Sequence, residues 1–266
     1  MKDILLFFNS PSLTWIGLSI AFGLIWLAAL GAWQWRGKWL WLASAGVVLF
    51  PIAVAWVQVP LANLVSNWFI RRYGLGAYQN RVFLTRIPVV LLGGLVQEGV
   101  KLFPIVVYWL GRRRKVTPKV GLAIGAMVGT GFGVCEAQWV LNVQISYGFS
   151  WTWVSKYGFL GILPFWDRFF AISFGIATGA LSGYGLAKGK AWQFYLLASF
   201  LHFLTIYFTL LFSVGKVTVV QIEIINAVFA MMIFGGVLWM RWWKLKEIKP
   251  GEGHSKVAIL PDNRNN

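Results

Sequence analysis

Seven stretches of mostly apolar residues, each near the length needed to cross a bilayer, run through the chain at 13–33, 39–58, 86–110, 119–143, 165–187, 191–213 and 219–240. About 20 residues of helix span a hydrocarbon layer of ~30 Å. Lipid offers the backbone no hydrogen-bond partners, so each stretch must satisfy its own N–H and C=O groups. The chain is therefore expected to be all-α, a polytopic transmembrane helix bundle of about seven to eight spanning helices. The eighth depends on residues 60–70, which are too few to span alone and carry Asn63, Ser66 and Asn67; they read as an interfacial or re-entrant helix. Composition agrees, with 58% hydrophobic and 12% charged residues against about 45–50% and about 25% in soluble domains.

Residues 1–243 are expected to form one membrane domain. Residues 244–266, polar and interrupted by Pro250, Gly251 and Gly253, read as a basic tail without fixed structure. The first apolar run is followed by no small-x-small cleavage site, so it reads as a retained helix.

The net charge of +16 arises from 24 Lys and Arg against 8 Asp and Glu. On a soluble protein that balance would suggest nucleic acid. In a polytopic chain it reflects basic loops kept inside, and no nucleic-acid partner is expected. The densest cluster holds Arg112, Arg113, Arg114, Lys115 and Lys119. Placing it in the cytoplasm and alternating outward puts fifteen basic residues inside and eight outside, with Lys101 within a helix. The N-terminus then lies outside and the C-terminal tail in the cytoplasm, although Arg71, Arg72 and Arg81 fall on the outer side. The single cysteine, Cys135, excludes an internal disulfide and a Cys-rich metal site.

Glycines recur every four residues at Gly121, Gly125, Gly129 and Gly133, and again at Gly175, Gly179 and Gly183. Residues four apart share a helix face, and such faces allow membrane helices to approach closely. The fourth and fifth apolar runs are therefore expected at the bundle centre.

Three of the eight acidic residues, Glu98, Glu136 and Glu223, fall inside apolar runs, as do Lys101 and His202. An ionisable group in the bilayer costs a few kcal/mol and usually faces the bundle interior. Lys101 is one helical turn beyond Glu98, close enough to pair with it. Glu223 lies near the outer end of the last run, within reach of interfacial water, and Asp167-Arg168 reads as a local interfacial pair. Glu98, Glu136 and His202 come from three different runs and form a constellation suited to acid–base work on water. Two carboxyls and one imidazole make a poor zinc set, so no cofactor is assigned and a divalent metal stays a doubtful possibility.

The segment Gln97-Glu98-Gly99-Val100-Lys101 resembles the Glu-Glu-x-x-Lys motif of the PrsW-type intramembrane proteases, relatives of the CAAX prenyl proteases. Gly131-Phe132-Gly133-Val134-Cys135-Glu136 resembles that family's glycine-rich Glu motif. Phe174-Gly175-Ile176-Ala177-Thr178 resembles its His-x-x-x-Thr segment, and Leu201-His202-Phe203 its last membrane histidine. The resemblance covers roughly residues 91–207. Gln97 stands where the family has its first glutamate, Phe174 where it has a histidine, and Ile206 where related proteases often have Asn or Asp.

The resemblance implies an intramembrane peptidase of the glutamic type, with a polar pocket reached from the outer half of the membrane. Glu98 would be the general base or water-positioning acid, Glu136 the second carboxyl and His202 the electrophilic or oxyanion-stabilising group. Gln97, Lys101, Gly133 and Thr178 would support them. It further implies a membrane-anchored protein substrate, such as an anti-sigma factor, and the cytoplasmic membrane of a prokaryote. A non-catalytic homologue that binds a transmembrane partner is one alternative. A small proton-coupled transporter is another, which inverted repeats would favour; none is visible in the sequence.

Overall fold

The computed structural model describes residues 12–31, 39–146 and 150–244, which form helices and no strand. The first, α1 (Leu13–Ala29), has 17 residues and is shorter than a full span. The second, α2 (Leu40–Tyr73), is continuous over 34 residues. A short α3 (Leu75–Asn80) leads into α4 (Val82–Gly111), followed by α5 (Pro118–Ser146), α6 (Trp151–Tyr157), α7 (Phe159–Ala187), α8 (Ala191–Ser213) and α9 (Val219–Trp239). Six of these helices, α2, α4, α5, α7, α8 and α9, are long and apolar enough to cross a membrane. The protein is an all-α helical bundle with the character of an integral membrane protein. The expected unstructured tail lies outside the described residues, apart from the π-helical turn Met240–Lys244 that extends α9.

The expectation for residues 60–70 is corrected. They form neither a re-entrant segment nor an eighth span, because α2 runs straight through them. Neither Pro51 nor Pro60 can donate a backbone hydrogen bond, and between them the helix widens to a π-helical segment at Ala53–Gln58 before continuing as Val59–Tyr73. At 1.5 Å per residue a helix of this length rises about 50 Å, well beyond a ~30 Å hydrocarbon layer. Arg71 and Arg72 therefore sit in its last turn, away from the apolar part of the helix. The widened segment ends on Gln58, a polar residue the site uses.

Two helices form the core. Gly121, Gly125 and Gly129 of α5 face Gly183, Gly179 and Gly175 of α7 in antiparallel register; a Cβ on Gly125 would lie 2.0 Å from the Gly179 carbonyl oxygen. Backbone meets backbone, so no side chain fits. Gly133 continues this face against Ile172, where a Cβ would stand 3.2 Å from Cα. The opposite face of α5 is as tight against α2, where a Cβ on Gly131 would lie 1.8 Å from the Ala43 carbonyl oxygen and one on Gly46 2.3 Å from that of Val128. Helices α5 and α7 are buried along most of their length, as the glycine spacing predicts.

The remaining helices pack around this pair. Between α7 and α8 the chain reverses in three residues because Gly189 adopts φ +72°, with Lys190 N–H donating to the Gly185 carbonyl at 2.8 Å. Helix α8 then lies against α4, where a Cβ on Gly94 would meet the Ser199 carbonyl at 2.5 Å and Tyr195 Oη donates to the Leu95 carbonyl at 3.0 Å. That contact places Glu98, one turn beyond Gly94, opposite His202.

Candidate functional site

Glu98 is fully buried. Its Oε1 accepts from Lys101 Nζ at 2.5 Å, one turn along α4, and lies 2.7 Å from His202 Nδ1 on α8. Lys101, 1% exposed, donates to Thr178 Oγ1 on α7 at 2.9 Å, and its ammonium sits 5.0 Å from the centre of the Phe132 ring on α5. Four helices thus converge on one charged pair. An unpartnered charge here would cost several kcal/mol, whereas a paired and hydrogen-bonded one is tolerated.

A carboxylate only accepts hydrogen bonds, so the proton in the His202–Glu98 contact belongs to Nδ1. The nitrogen left for any other partner is then Nε2. His202 lines a cavity of about 550 Å³ bounded by α2, α4, α5, α7, α8 and α9. Glu98 does not line it. The carboxylate stands behind the imidazole and fixes its orientation, and His202 is the member of the pair that meets the cavity. Phe174 packs edge-on against His202 with ring centres 5.5 Å apart, filling the place where the resemblance expects a histidine.

Glu136 lies across this cavity rather than in the buried cluster. Helix α5 continues to Ser146, so Glu136 sits deeper in its helix than the apolar run 119–143 suggests. Its Oε1 is 4.0 Å from the guanidinium of Arg168, which also binds Asp167 through Nε at 3.0 Å. Gln97 lines the wall as well and donates from Nε2 to Gln58 Oε1 at 3.0 Å. Gly133 does not reach the cavity lining; its role is the close approach of α5 to α7.

The structure therefore gathers Glu98, Lys101, His202 and Thr178 at one point and places Gln97 and Glu136 on the adjoining wall. It also adds residues to that wall. Asp167 and Arg168 pair with each other as the sequence predicts and lie more than two turns inside α7, because that helix begins at Phe159 rather than near 165. Glu223 faces the cavity from α9 together with Asn226, about one turn from the start of that helix. Gln58 does not stand out among the ionisable residues of the sequence, and its one signal is that of a lone amide in an apolar run. The end of the cavity lined by Gln144, Thr209, Phe212 and Val219 lies at the helix ends opposite the Arg112–Lys115 turn. No group of three or more His, Cys, Asp or Glu side chains suited to hold a metal ion occurs among the described residues.

The fold and site together define an integral membrane helical bundle with a buried Glu–His–Lys cluster opening on a polar cavity. Neither a known protein family, nor a curated protein, nor a solved structure matches the chain.

Proposed function

We propose that the protein is an intramembrane peptidase of the PrsW type that hydrolyses a peptide bond in a membrane-anchored protein. The observation that carries this reading is the 2.7 Å contact between Glu98 and His202 at the wall of the cavity. A carboxylate that orients one imidazole nitrogen and leaves the other facing a polar space is the arrangement a general base needs. The reading also rests on the motif resemblance, and it moves the base from Glu98 to His202 because only the latter faces the cavity.

In this mechanism His202 Nε2 takes a proton from a water molecule as its oxygen attacks the scissile carbonyl carbon. The C=O π electrons move onto the carbonyl oxygen, which faces the guanidinium side of the cavity at Arg168. Glu98 balances the imidazolium that forms, and Lys101 and Thr178 hold Glu98 in place. When the C–N bond breaks, the imidazolium returns its proton to the departing amine. Glu136 keeps Arg168 turned into the cavity. Orientation follows the basic loops: the tail lies in the cytoplasm of a prokaryotic cell and the cavity opens toward the outer side.

Co-expression with single-span membrane proteins tests the proposal. A fragment made by the wild type and lost in both Glu98→Gln and His202→Ala supports it. No fragment from any single-span protein offered would contradict it.

Two observations favour a second reading. Phe174 occupies the space beside His202 and Gln97 brings an amide where the resemblance expects a carboxyl. Both changes suit a homologue that holds a transmembrane partner in the same cavity without cutting it.

A further inference from the structure

The protein carries a net charge of +16, yet its cavity is acidic. Of the four acidic residues among the described residues, Glu136, Asp167 and Glu223 line it and Glu98 lies directly behind His202. Arg168, the cavity's guanidinium, is engaged by Asp167 and faces Glu136 at 4.0 Å. Four oxygens that belong to lining residues are buried without a hydrogen-bond partner, just behind the present wall surface: Gln97 Oε1, Gln144 Oε1, Glu223 Oε2 and Asn226 Oδ1. Gln97 is only 7% exposed, so bulk water does not satisfy it. Buried acceptors without donors are costly and ordinarily mark a place where a partner group belongs.

The missing chemistry is a positively charged group with several N–H donors. An ammonium has three and a guanidinium five. An anion would meet carboxylates, and an apolar side chain would leave all four oxygens unpaired. Trp139 also lines the cavity and brings apolar surface against which an aliphatic stem can pack.

We propose that the cavity recognises a lysine or arginine side chain placed next to the membrane span of its bound protein. The cation sits among Glu223, Asn226 and Gln144, toward the end lined by Phe212 and Val219, and this positions the adjoining backbone toward His202. The identity of the bound segment as a peptide rests on the peptidase reading; the cation preference rests on the wall itself. An amine-bearing lipid headgroup shares this chemistry and is distinguished by the test.

The test uses the full chain in phosphatidylcholine nanodiscs and fluorescent single-span peptides identical except for one outer juxtamembrane residue: lysine, norleucine or glutamate. The lysine peptide is expected to bind at least about tenfold more tightly than the norleucine peptide. Glu223→Gln should abolish that preference and Glu223→Lys should reverse it toward the glutamate peptide. Asn226→Ala, which removes an acceptor without altering charge, should reduce it in part and guards against a folding defect at Glu223. Equal binding of the lysine and norleucine peptides, or a lysine preference unchanged in Glu223→Gln, overturns the proposal. Retention of phosphatidylethanolamine that Glu223→Gln loses, with no lysine preference among peptides, also overturns it and assigns the cavity to a lipid amine. Lysine-selective binding without cleavage of any peptide keeps this inference and removes the peptidase; cleavage indifferent to lysine does the reverse.

Discussion

His202 Nδ1 lies 2.7 Å from Glu98 Oε1, although the two residues are 104 positions apart in the chain. The contact exists because Gly94 admits α8 against α4 one turn earlier. It makes the imidazole a directed group: one nitrogen is held by a carboxylate, and the residue lines the cavity. Lys101 and Thr178 complete the arrangement from α4 and α7. The orientation of His202 therefore depends on side chains that do not line the cavity.

The buried pair predicts a stability pattern. Lys101→Met leaves the Glu98 charge without its ammonium and should destabilise by about 3–5 kcal/mol. Glu98→Gln alone should cost a similar amount by stranding Lys101. The double variant should recover most of the loss, because both charges leave together. Thermal unfolding in detergent reads this directly, and additive losses in the double variant would show that the two groups are not coupled.

Packing at the core predicts a second pattern. Gly125→Ala should prevent folding or cost at least about 1–3 kcal/mol, since the new methyl overlaps the Gly179 carbonyl. Gly133→Ala should be milder, because a Cβ there stands 3.2 Å from Ile172 Cα. Gly17→Ala and Gly236→Ala meet nothing within 4 Å and should be nearly silent. Equal effects at all four sites would contradict the close α5–α7 contact.

Orientation is tested by topology reporters. Fusions at residues 115 and 250 should both report cytoplasmic placement, and one at Lys216, in the turn between α8 and α9, should report the opposite side. An outer-side signal at 115 or 250 would reverse the bundle and place the cavity mouth toward the cytoplasm.

The two departures from the protease motifs predict a gain. Gln97→Glu with Phe174→His restores the expected carboxyl and imidazole beside His202. If the natural protein is a slow peptidase, the double variant should cut the same substrate faster. Cutting by the double variant alone, with none by the wild type, would assign the natural protein to partner binding.

The sequence made the bundle legible through the length of its apolar runs and the four-residue glycine spacing, and it made the cluster legible through ionisable residues that lipid would not accept. Lys101 was readable as the partner of Glu98 because helix geometry is local. The depth of a side chain was not. Asp167, Arg168 and Glu223 did not read as parts of one wall because hydropathy marks only where apolar residues begin, whereas α7 starts at Phe159 with a proline at 164 inside it and the cavity lies between helices. The continuity of α2 was hidden for a similar reason: Pro51 and Pro60 punctuate the sequence, while the helix absorbs them through a π-helical segment. That Glu98 stands behind His202 rather than beside Glu136 depends on how α4 and α8 meet, which no local pattern encodes.

The most direct measurement is the rate of cleavage of a single-span substrate by purified protein in nanodiscs, comparing wild type with His202→Ala and Glu98→Gln. Removing the base should lower kcat by about 10²–10⁴-fold with KM unchanged. Glu98→Gln should also act on kcat rather than KM, because it loosens the base without altering the cavity wall. Cleavage by His202→Ala at the wild-type rate would contradict the account.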